Sequence, residues 1–228
     1  MKDSILLLHG ALGSKDQFAS LIEKLKDEFD VHTFNFSGHG GNEFSDGFSI
    51  DGFIKETMNF IYSNHLESTN VFGYSMGGYV ALKAAILYPL RFKKIITLGT
   101  KFNWTPETAA KETGRLIPEV IVEKIPKFAD DLQKRHHPQD WKKLMNHTAA
   151  MIVALGNSDA IKDEDFSTIQ NEVLICVGSE DNMVTLEESM AVVNHLPNGH
   201  LKVINGFKHP IEAVDQNVLA KIISLREA

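Results

Sequence analysis

Short runs of apolar residues alternate along the chain with stretches in which apolar residues recur every three or four positions. The short runs end at glycine or another turn residue, as buried strands do, whereas the longer pattern is typical of helices with one apolar face. The runs predict strands over residues 5–8, 31–36, 70–73, 95–98, 172–177 and 200–204. Because strands that alternate with helices form parallel sheets, we expect an α/β fold with six mainly parallel strands and helices on both faces.

The helical pattern is clearest in five of the segments that lie between or after these runs. The apolar positions that predict the helices are Phe18, Leu21, Ile22, Leu25 and Phe29 in the first, Ile50, Phe53, Ile54 and Ile61 in the second, residues 79–88 in the third, residues 186–196 in the fourth, and Ile211, Val214, Val218, Ile222 and Leu225 in the last. These helices would cover the sheet.

Residues 101–169 break the alternation. This segment shows no convincing strand, several helical patterns, and more large apolar residues than a solvated linker needs; prolines interrupt it at Pro106, Pro118, Pro126 and Pro138. We expect a helical cap inserted over one end of a core domain formed by residues 1–100 and 170–228. The alternative is an ordinary pair of packing helices.

Composition narrows the class of protein. The chain has 228 residues, 43% of them hydrophobic, which suits one domain with a sizeable core. Lys and Arg total 23 against 30 Asp and Glu, a net charge of −7, so nothing favours binding to nucleic acid or an anionic membrane. No segment approaches the length of a membrane span, the first apolar run is too short for a signal peptide, and the single cysteine, Cys176, lies in an apolar run. We expect a cytoplasmic enzyme acting on a small molecule; its oligomeric state is not indicated.

The sequence Gly73-Tyr74-Ser75-Met76-Gly77-Gly78 carries the strongest chemical signal. A Gly-x-Ser-x-Gly pattern between a strand and a helix predicts a sharp turn that exposes a nucleophilic serine, with glycines where a Cβ would collide with neighbouring backbone. The start of the following helix favours developing negative charge. We therefore predict that Ser75 is a nucleophile.

A nucleophilic serine needs a base and an acid that orients the base. The loop after the fifth predicted strand offers Glu180 and Asp181, and the loop after the sixth offers His209. Both loops lie at the carboxyl ends of parallel strands, as Ser75 does. The order serine, acid, histidine is the one expected for this kind of turn.

With these motifs the chain resembles the α/β-hydrolase family over nearly its whole length. The resemblance rests on His9-Gly10, Gly38-His39-Gly40, the serine turn, the segment from Gly178 to Val184 and the late histidine. Members of the family usually begin with an antiparallel hairpin, whereas only three residues precede Ser4, so we expect this chain to depart from the family by lacking that hairpin. The resemblance implies that Asp181 rather than Glu180 is the acid and that His209 is the base. It also implies that the backbone amides of Ala11 and Met76 form the oxyanion hole.

The remaining histidines suggest other roles. His9 and His39 match turn motifs that hold loops in place, and His136 and His137 lie in a polar stretch that we expect to be exposed. No cluster has the spacing of metal ligands, so we expect neither a metal nor a cofactor. We expect the substrate pocket to be lined by Leu12, Phe102, Trp104, His147 and Met151.

Three functions fit these residues. The leading hypothesis is a serine hydrolase of the carboxylesterase type that forms an acyl-enzyme at Ser75. The second is a carbon–carbon or elimination lyase, because residues 9–14 and 73–78 resemble the menaquinone-pathway synthase that eliminates pyruvate. In that synthase an arginine follows the motif, whereas Tyr79 stands here. The third is a binding member of the fold without activity, against which the intact set of three residue types argues.

Overall fold

Six parallel strands form a single sheet in the computed structural model, which describes residues 2–224. The strand order is β2-β1-β3-β4-β5-β6. The strands are β1 (Asp3–Leu8), β2 (Phe29–Thr33), β3 (Thr69–Tyr74), β4 (Phe92–Leu98), β5 (Glu172–Gly178) and β6 (Gly199–Ile204). All neighbouring pairs are parallel, so the expected six-stranded sheet is confirmed.

Helices cover both faces of this sheet, as the alternating pattern predicts. They are α1 (Ala19–Leu25), α2 (Ile50–Ser63), α3 (Met76–Leu87), α4 (Pro106–Thr113), α5 (Pro118–Lys124), α6 (Pro126–His136), α7 (Trp141–Ala154), α8 (Asp163–Phe166), α9 (Leu186–His195) and α10 (Gln216–Ser224). Alternate side chains of β1 separate the two layers. Leu6 and Leu8 pack with α2 and α3, whereas Ile5 and Leu7 pack with α1 and α10.

Helix α3 is central because it is apolar on nearly all sides. Nine of its residues are buried, and Gly77 lies against the backbone of β1. A helix that is hydrophobic all round is stable only when protein surrounds it. This packing fixes the start of α3, and therefore the residue that joins β3 to α3, at the carboxyl edge of the sheet.

The segment between β4 and β5 consists of helices and the loops that join them, with no strand among residues 101–169. It contains α4 to α8 and a short π-helical turn after α7 at Leu155–Asp159. Pro106, Pro118 and Pro126 each occupy the first position of a helix, where the missing N–H costs nothing. Part of the segment has a core of its own, built from Ile121, Ala129, Leu132, Trp141, Leu144 and Met145, which Leu12 joins from the sheet side.

Three details of the predicted elements are wrong. Phe29 begins β2 instead of continuing α1, which ends at Leu25. β2 ends at Thr33, because the last residue pair it shares with its neighbour β1 is Leu7 with Thr33. The predicted last helix begins late: Ile211 lies in a 3-10 turn.

Asp215 explains this late start. Its carboxylate accepts hydrogen bonds from the amides of Asn217 and Val218 and so caps a helix that begins at Gln216. Val214 therefore precedes α10, and the predicted contribution of Leu225 to this helix falls outside the described residues.

Candidate active site

Ser75 is held in a strained conformation at the turn from β3 into α3. Its φ is +50° and its ψ is −117°, a region that side-chain-bearing residues rarely adopt. The turn is tight because a Cβ on Gly73 would lie 2.4 Å from the backbone of Gly78, and one on Gly77 would lie 2.2 Å from the carbonyl oxygen of Leu8. The glycines therefore allow a close approach that lifts the serine above the sheet edge.

His209 and Asp181 converge on this serine from the loops after β6 and β5. Ser75 Oγ lies 3.3 Å from His209 Nε2, and His209 Nδ1 lies 2.8 Å from Asp181 Oδ2. The side chains of His209 and Asp181 are 11% and 2% exposed. The structure thus brings together the three residues that the sequence selects, in the order in which a proton would move.

Asp181 is held as a carboxylate. Burial alone would raise the pKa of Asp181, but the hydrogen bond and charge of His209 and the amides of Met183 and Val184 outweigh it, so this pKa lies below its ordinary value. Glu180 instead points outward, with its carboxylate 3.9 Å from Lys208 Nζ and its side chain more than half exposed. The choice of Asp181 over Glu180 agrees with this geometry.

Two residues that sequence reasoning overlooked support His209. The hydroxyl of Tyr74 donates to the carbonyl oxygen of His209 at 3.0 Å, so the residue before the serine holds the histidine loop. Gly99 has a φ of +61°, and a Cβ there would lie 3.1 Å from Asp181 Oδ2 and 3.3 Å from His209 Nδ1. Tyr74 lies inside the serine motif and Gly99 directly follows β4, but only their contacts across the fold reveal these roles.

The peptide group between Gly10 and Ala11 is oriented by His9. The amide of Phe36 donates to His9 Nε2 at 3.2 Å, so the proton of this neutral ring is on Nδ1, which donates to the carbonyl oxygen of Gly10 at 2.8 Å. Carbonyl and N–H of a trans peptide point in opposite directions. The Ala11 amide is therefore held facing away from His9, and Ala11 and Met76 both lie in the wall of the cavity that contains Ser75.

A cavity of about 700 Å³ opens onto Ser75 and His209. Its wall combines the sheet edge with α4, α5, α6 and α7 of the helical segment, and most of its side chains are apolar. The apolar lining residues include Leu12, Ile50, Trp104, Leu116, Ile121, Phe128, Met145, Met151, Ile152, Leu155 and Val184. Three of the five residues that we expected in the pocket, Leu12, Trp104 and Met151, lie in this wall.

The other two expected lining residues lie elsewhere. Phe102 is buried in the core, where its ring faces those of Tyr79 and Phe166. His147 faces the loop after β2, with its ring 5.1 Å from that of Phe44 and 5.3 Å from that of Phe48. Both side chains pack against aromatic neighbours, and neither faces the cavity.

His136 also departs from expectation, because it is buried rather than exposed. Its Nδ1 accepts from the amide of Gly40 at 3.0 Å, so its proton is on Nε2, which donates to the carbonyl oxygen of Leu12 at 3.1 Å. Burial lowers the pKa of His136 to about 4. His137, in contrast, is exposed as expected.

The lysine and the two arginines in the cavity wall are each paired with a carboxylate. Lys101 Nζ lies 3.9 Å from Glu112 and 3.6 Å from Glu188, and Arg115 lies 3.1 Å from Glu112. Arg135 pairs in the same way with Glu212 across the mouth of the cavity. Arg115 and Glu112 are three residues apart, a spacing that a helical pattern can predict. The partners of Lys101 and Arg135 lie on other elements of the fold, so no local pattern could have predicted those pairs.

Comparison with known proteins agrees with this architecture. Residues 3–152 match the model of the alpha/beta hydrolase fold family. The enol-lactonase of Burkholderia xenovorans LB400 has a similar structure, with a TM-score of 0.79 and 15% identity, over 98% of this chain and 90% of that one. A doubly covered parallel sheet with a serine at the turn after β3 is the architecture of this class. The chain belongs to the alpha/beta hydrolase fold family.

The curated relatives match this chain over a smaller part of their own length. Ethanol acetyltransferase 1 of Kluyveromyces marxianus is 24% identical over 96% of this chain and 55% of its own length. The pimeloyl-[acyl-carrier protein] methyl ester esterase of Aliivibrio salmonicida is 25% identical over 57% of this chain and 46% of its own. Against another ethanol acetyltransferase 1, from Hanseniaspora uvarum, the match covers 33% of that protein. The chain thus spans about half or less of these relatives.

Among residues 2–224, no group of three or more His, Cys, Asp or Glu side chains is arranged to hold a metal ion. Within the same part of the chain, no helix combines the length and apolar character needed to cross a membrane.

The buried histidines predict a loss of stability in acid. Burial lowers the pKa of His9 and His136 to about 4 and that of His39 well below 6.5. Each pKa lies below the pKa of the same histidine in the unfolded chain. The stability that depends on keeping these histidines neutral is therefore fully present above about pH 6.5 and is lost as the pH falls towards 4. Each histidine would add up to about 1.4 kcal/mol per pH unit to the slope of unfolding free energy against pH.

We expect His136→Gln to make this slope shallower, because a glutamine stays neutral while keeping a donor and an acceptor. Urea unfolding of the parent and the variant from pH 7 to 4 measures the difference. The exposed His200→Gln is the matched control. Parallel curves for the parent and His136→Gln would show that His136 is not a buried neutral group.

Proposed function

We propose that this chain is a serine hydrolase of the carboxylesterase type, acting on small uncharged esters. The observation that carries the proposal is the continuous Ser75–His209–Asp181 arrangement at the opening of an apolar cavity. The family membership and the esterase among the relatives support hydrolysis of an ester. We further assign residues 1–100 and 170–228 to a core domain and residues 101–169 to a cap that selects the substrate.

The chemistry follows from the geometry. Ser75 Oγ attacks the ester carbonyl while His209 Nε2 takes the hydroxyl proton, and Asp181 stabilises the resulting imidazolium through Nδ1–H. The amides of Met76 and Ala11 stabilise the oxyanion of the tetrahedral intermediate. This intermediate collapses to an acyl-enzyme, and the departing alkoxide receives the proton from His209. A water molecule, deprotonated by His209, then attacks the acyl-enzyme and releases the acid and the free Ser75 hydroxyl.

The cavity favours an uncharged substrate. Lys101, Arg115 and Arg135 each already contact a carboxylate, so a substrate anion would have to compete with a protein partner for every cation in the wall. Apolar side chains make up most of the remaining wall, which suits an aliphatic acyl chain.

The lyase hypothesis has less support from the same wall. Tyr79 occupies the position at which the menaquinone-pathway synthase carries arginine. The hydroxyl of Tyr79 accepts a hydrogen bond from the amide of Ile161 at 2.7 Å. No unpaired cation is therefore found there for a polyanionic substrate among the described residues of the wall.

An alcohol acceptor is the second candidate function. An acyl-enzyme reacts with an alcohol as readily as with water when the alcohol is better placed, and the ethanol acetyltransferases among the relatives favour this possibility. The apolar wall suits an organic acceptor. Analysis of the products formed with and without added ethanol separates the free acid from the ethyl ester.

Replacement of Ser75 tests the proposal directly. We expect Ser75→Ala to lower kcat for p-nitrophenyl esters by about 10⁴-fold or more and to abolish labelling by a fluorophosphonate probe, because the attacking oxygen is gone. Ser63→Ala, which removes an exposed hydroxyl on α2, is the control. Esterase activity that survives in Ser75→Ala would overturn the proposal.

The two neighbouring carboxylates offer an internal comparison. We expect Asp181→Asn to lower kcat by about 10⁴-fold, since an amide would favour the wrong tautomer of His209. Glu180→Gln removes the same charge from the adjacent, outward-facing residue and should leave kcat within about twofold of the parent. Steady-state kinetics of both variants shows which carboxylate acts on His209. Equal losses of kcat would contradict the assignment of Asp181 as the acid.

The role of the helical segment is tested by chain-length preference. We expect Met151→Ala to enlarge the cavity and shift the optimum of kcat/KM towards longer acyl chains, by about tenfold or more for each methylene accommodated. Phe102→Leu, which loses volume in the core beside the cavity, is the matched control and should retain the parental profile. An unchanged profile in Met151→Ala would show that this side chain serves only packing.

A further inference from the structure

Helix α6 reaches down to the turn that carries Ala11. Arg135 Nη1 donates to the carbonyl oxygen of Leu12 at 2.9 Å, and His136 Nε2 donates to the same oxygen at 3.1 Å. Two consecutive residues of the helical segment therefore hold one backbone carbonyl of the sheet edge. Such a double contact is specific, because it needs one long side chain and one buried ring to meet at a single atom.

The carbonyl of Leu12 is linked to the Ala11 amide through two peptide groups. The same peptide that accepts at Leu12 donates at its other end, from the amide of Gly13 to the carbonyl oxygen of Gly10 at 3.1 Å. The peptide of Gly10 in turn ends in the Ala11 N–H. Hydrogen bonds in such a chain polarise one another, so donors at Leu12 strengthen the dipole of each following peptide.

The turn also needs external support because its conformation is strained. Leu12 has a φ of +56°, a left-handed conformation that costs a side-chain-bearing residue on the order of 1 kcal/mol or more. Such a conformation persists only where the surroundings determine it. The two donors from α6 supply that restraint at the carbonyl of the strained residue itself.

One carboxylate ties the same helix to the histidine loop. Arg135 Nη2 donates to Glu212 Oε1 at 3.0 Å, and Gln17 Nε2 donates to that oxygen at 2.6 Å. Glu212 lies three residues after His209, and Gln17 Oε1 accepts from the amide of Ser14 beyond the oxyanion turn. Arg135 therefore connects α6 both to the turn and to the loop of the proposed base.

We propose that Arg135 and His136 are positioning residues for the oxyanion hole, acting through the carbonyl of Leu12 on the amide of Ala11. The inference rests on the proposed serine hydrolase function and adds to it. The helical segment takes part in the chemical step as well as in the choice of substrate, and activity depends on α6 being docked on the turn.

The test separates positioning from substrate binding, since Arg135 also faces the cavity. We expect Arg135→Met and His136→Phe to lower kcat by about tenfold, a part of the 10²–10³-fold that loss of an oxyanion donor costs, with KM within about threefold of the parent. Arg135→Lys and His136→Gln keep a donor and should recover most of kcat. Lys134→Met, an exposed neighbour on α6, is the control and should match the parent.

A transition-state analogue provides the second measurement. An alkyl boronic acid forms a tetrahedral adduct with a nucleophilic serine, and its inhibition constant should rise in the two variants by the same factor by which kcat/KM falls. A purely structural role would lower the melting temperature and leave both quantities unchanged. Thermal unfolding of each variant is therefore recorded, and the partly exposed Arg135→Met is decisive if His136→Phe does not fold.

The outcomes are distinguishable from failure of the proposed function. If Ser75→Ala is inactive but Arg135→Met and His136→Phe keep the parental kcat, the positioning role is wrong and the hydrolase assignment stands. A raised KM with unchanged kcat would make Arg135 a substrate-binding residue and overturn the inference. An active Ser75→Ala would instead overturn the proposed function on which the inference rests.

Discussion

The close contact between the start of α3 and the central strands is the constraint on which the site depends. Gly73 and Gly77 lack the Cβ atoms that would keep the helix away from β1 and β3. With the helix pressed onto the sheet, the residue between them has no room for ordinary backbone angles and Ser75 is driven to a positive φ. The strained position of the serine, which we propose as the nucleophile, is thus a consequence of packing between an apolar helix and a buried sheet. The energy that maintains the strain comes from burial of the whole α3 helix.

Much of this arrangement could be predicted because it follows from local pattern. Each strand of the sheet is an apolar run that ends at a turn, and parallel strands bring all their carboxyl ends to one edge. Ser75, Asp181 and His209 each follow such a run, so the sequence places them near one another without any knowledge of their contacts. Where a pattern had two interpretations it could fail, as for Phe29, which suits a helix face and equally the first position of a strand.

The remaining features depend on contacts between distant parts of the chain. His136 has polar neighbours in sequence and was expected to be exposed, but its partners are Gly40 and Leu12, about a hundred residues away. Phe102 and His147 belong to the segment that the sequence predicts over the site, but which way each side chain faces depends on the rings that pack against it. No periodicity encodes these contacts, because they are fixed by how the helical segment docks rather than by how each helix is built.

The hydrogen bond from Tyr74 to the carbonyl of His209 has a consequence for the precision of the site. Ser75 and His209 are separated by 134 positions, and this bond links the residue before Ser75 directly to the backbone of the histidine loop. The phenol ring of Tyr74 is rigid, so it fixes the distance between the residue before Ser75 and the backbone of His209. One rigid side chain takes the place of many soft contacts here, so we expect thermal fluctuation of the outer strand to be transmitted only weakly to the distance between Ser75 Oγ and His209 Nε2.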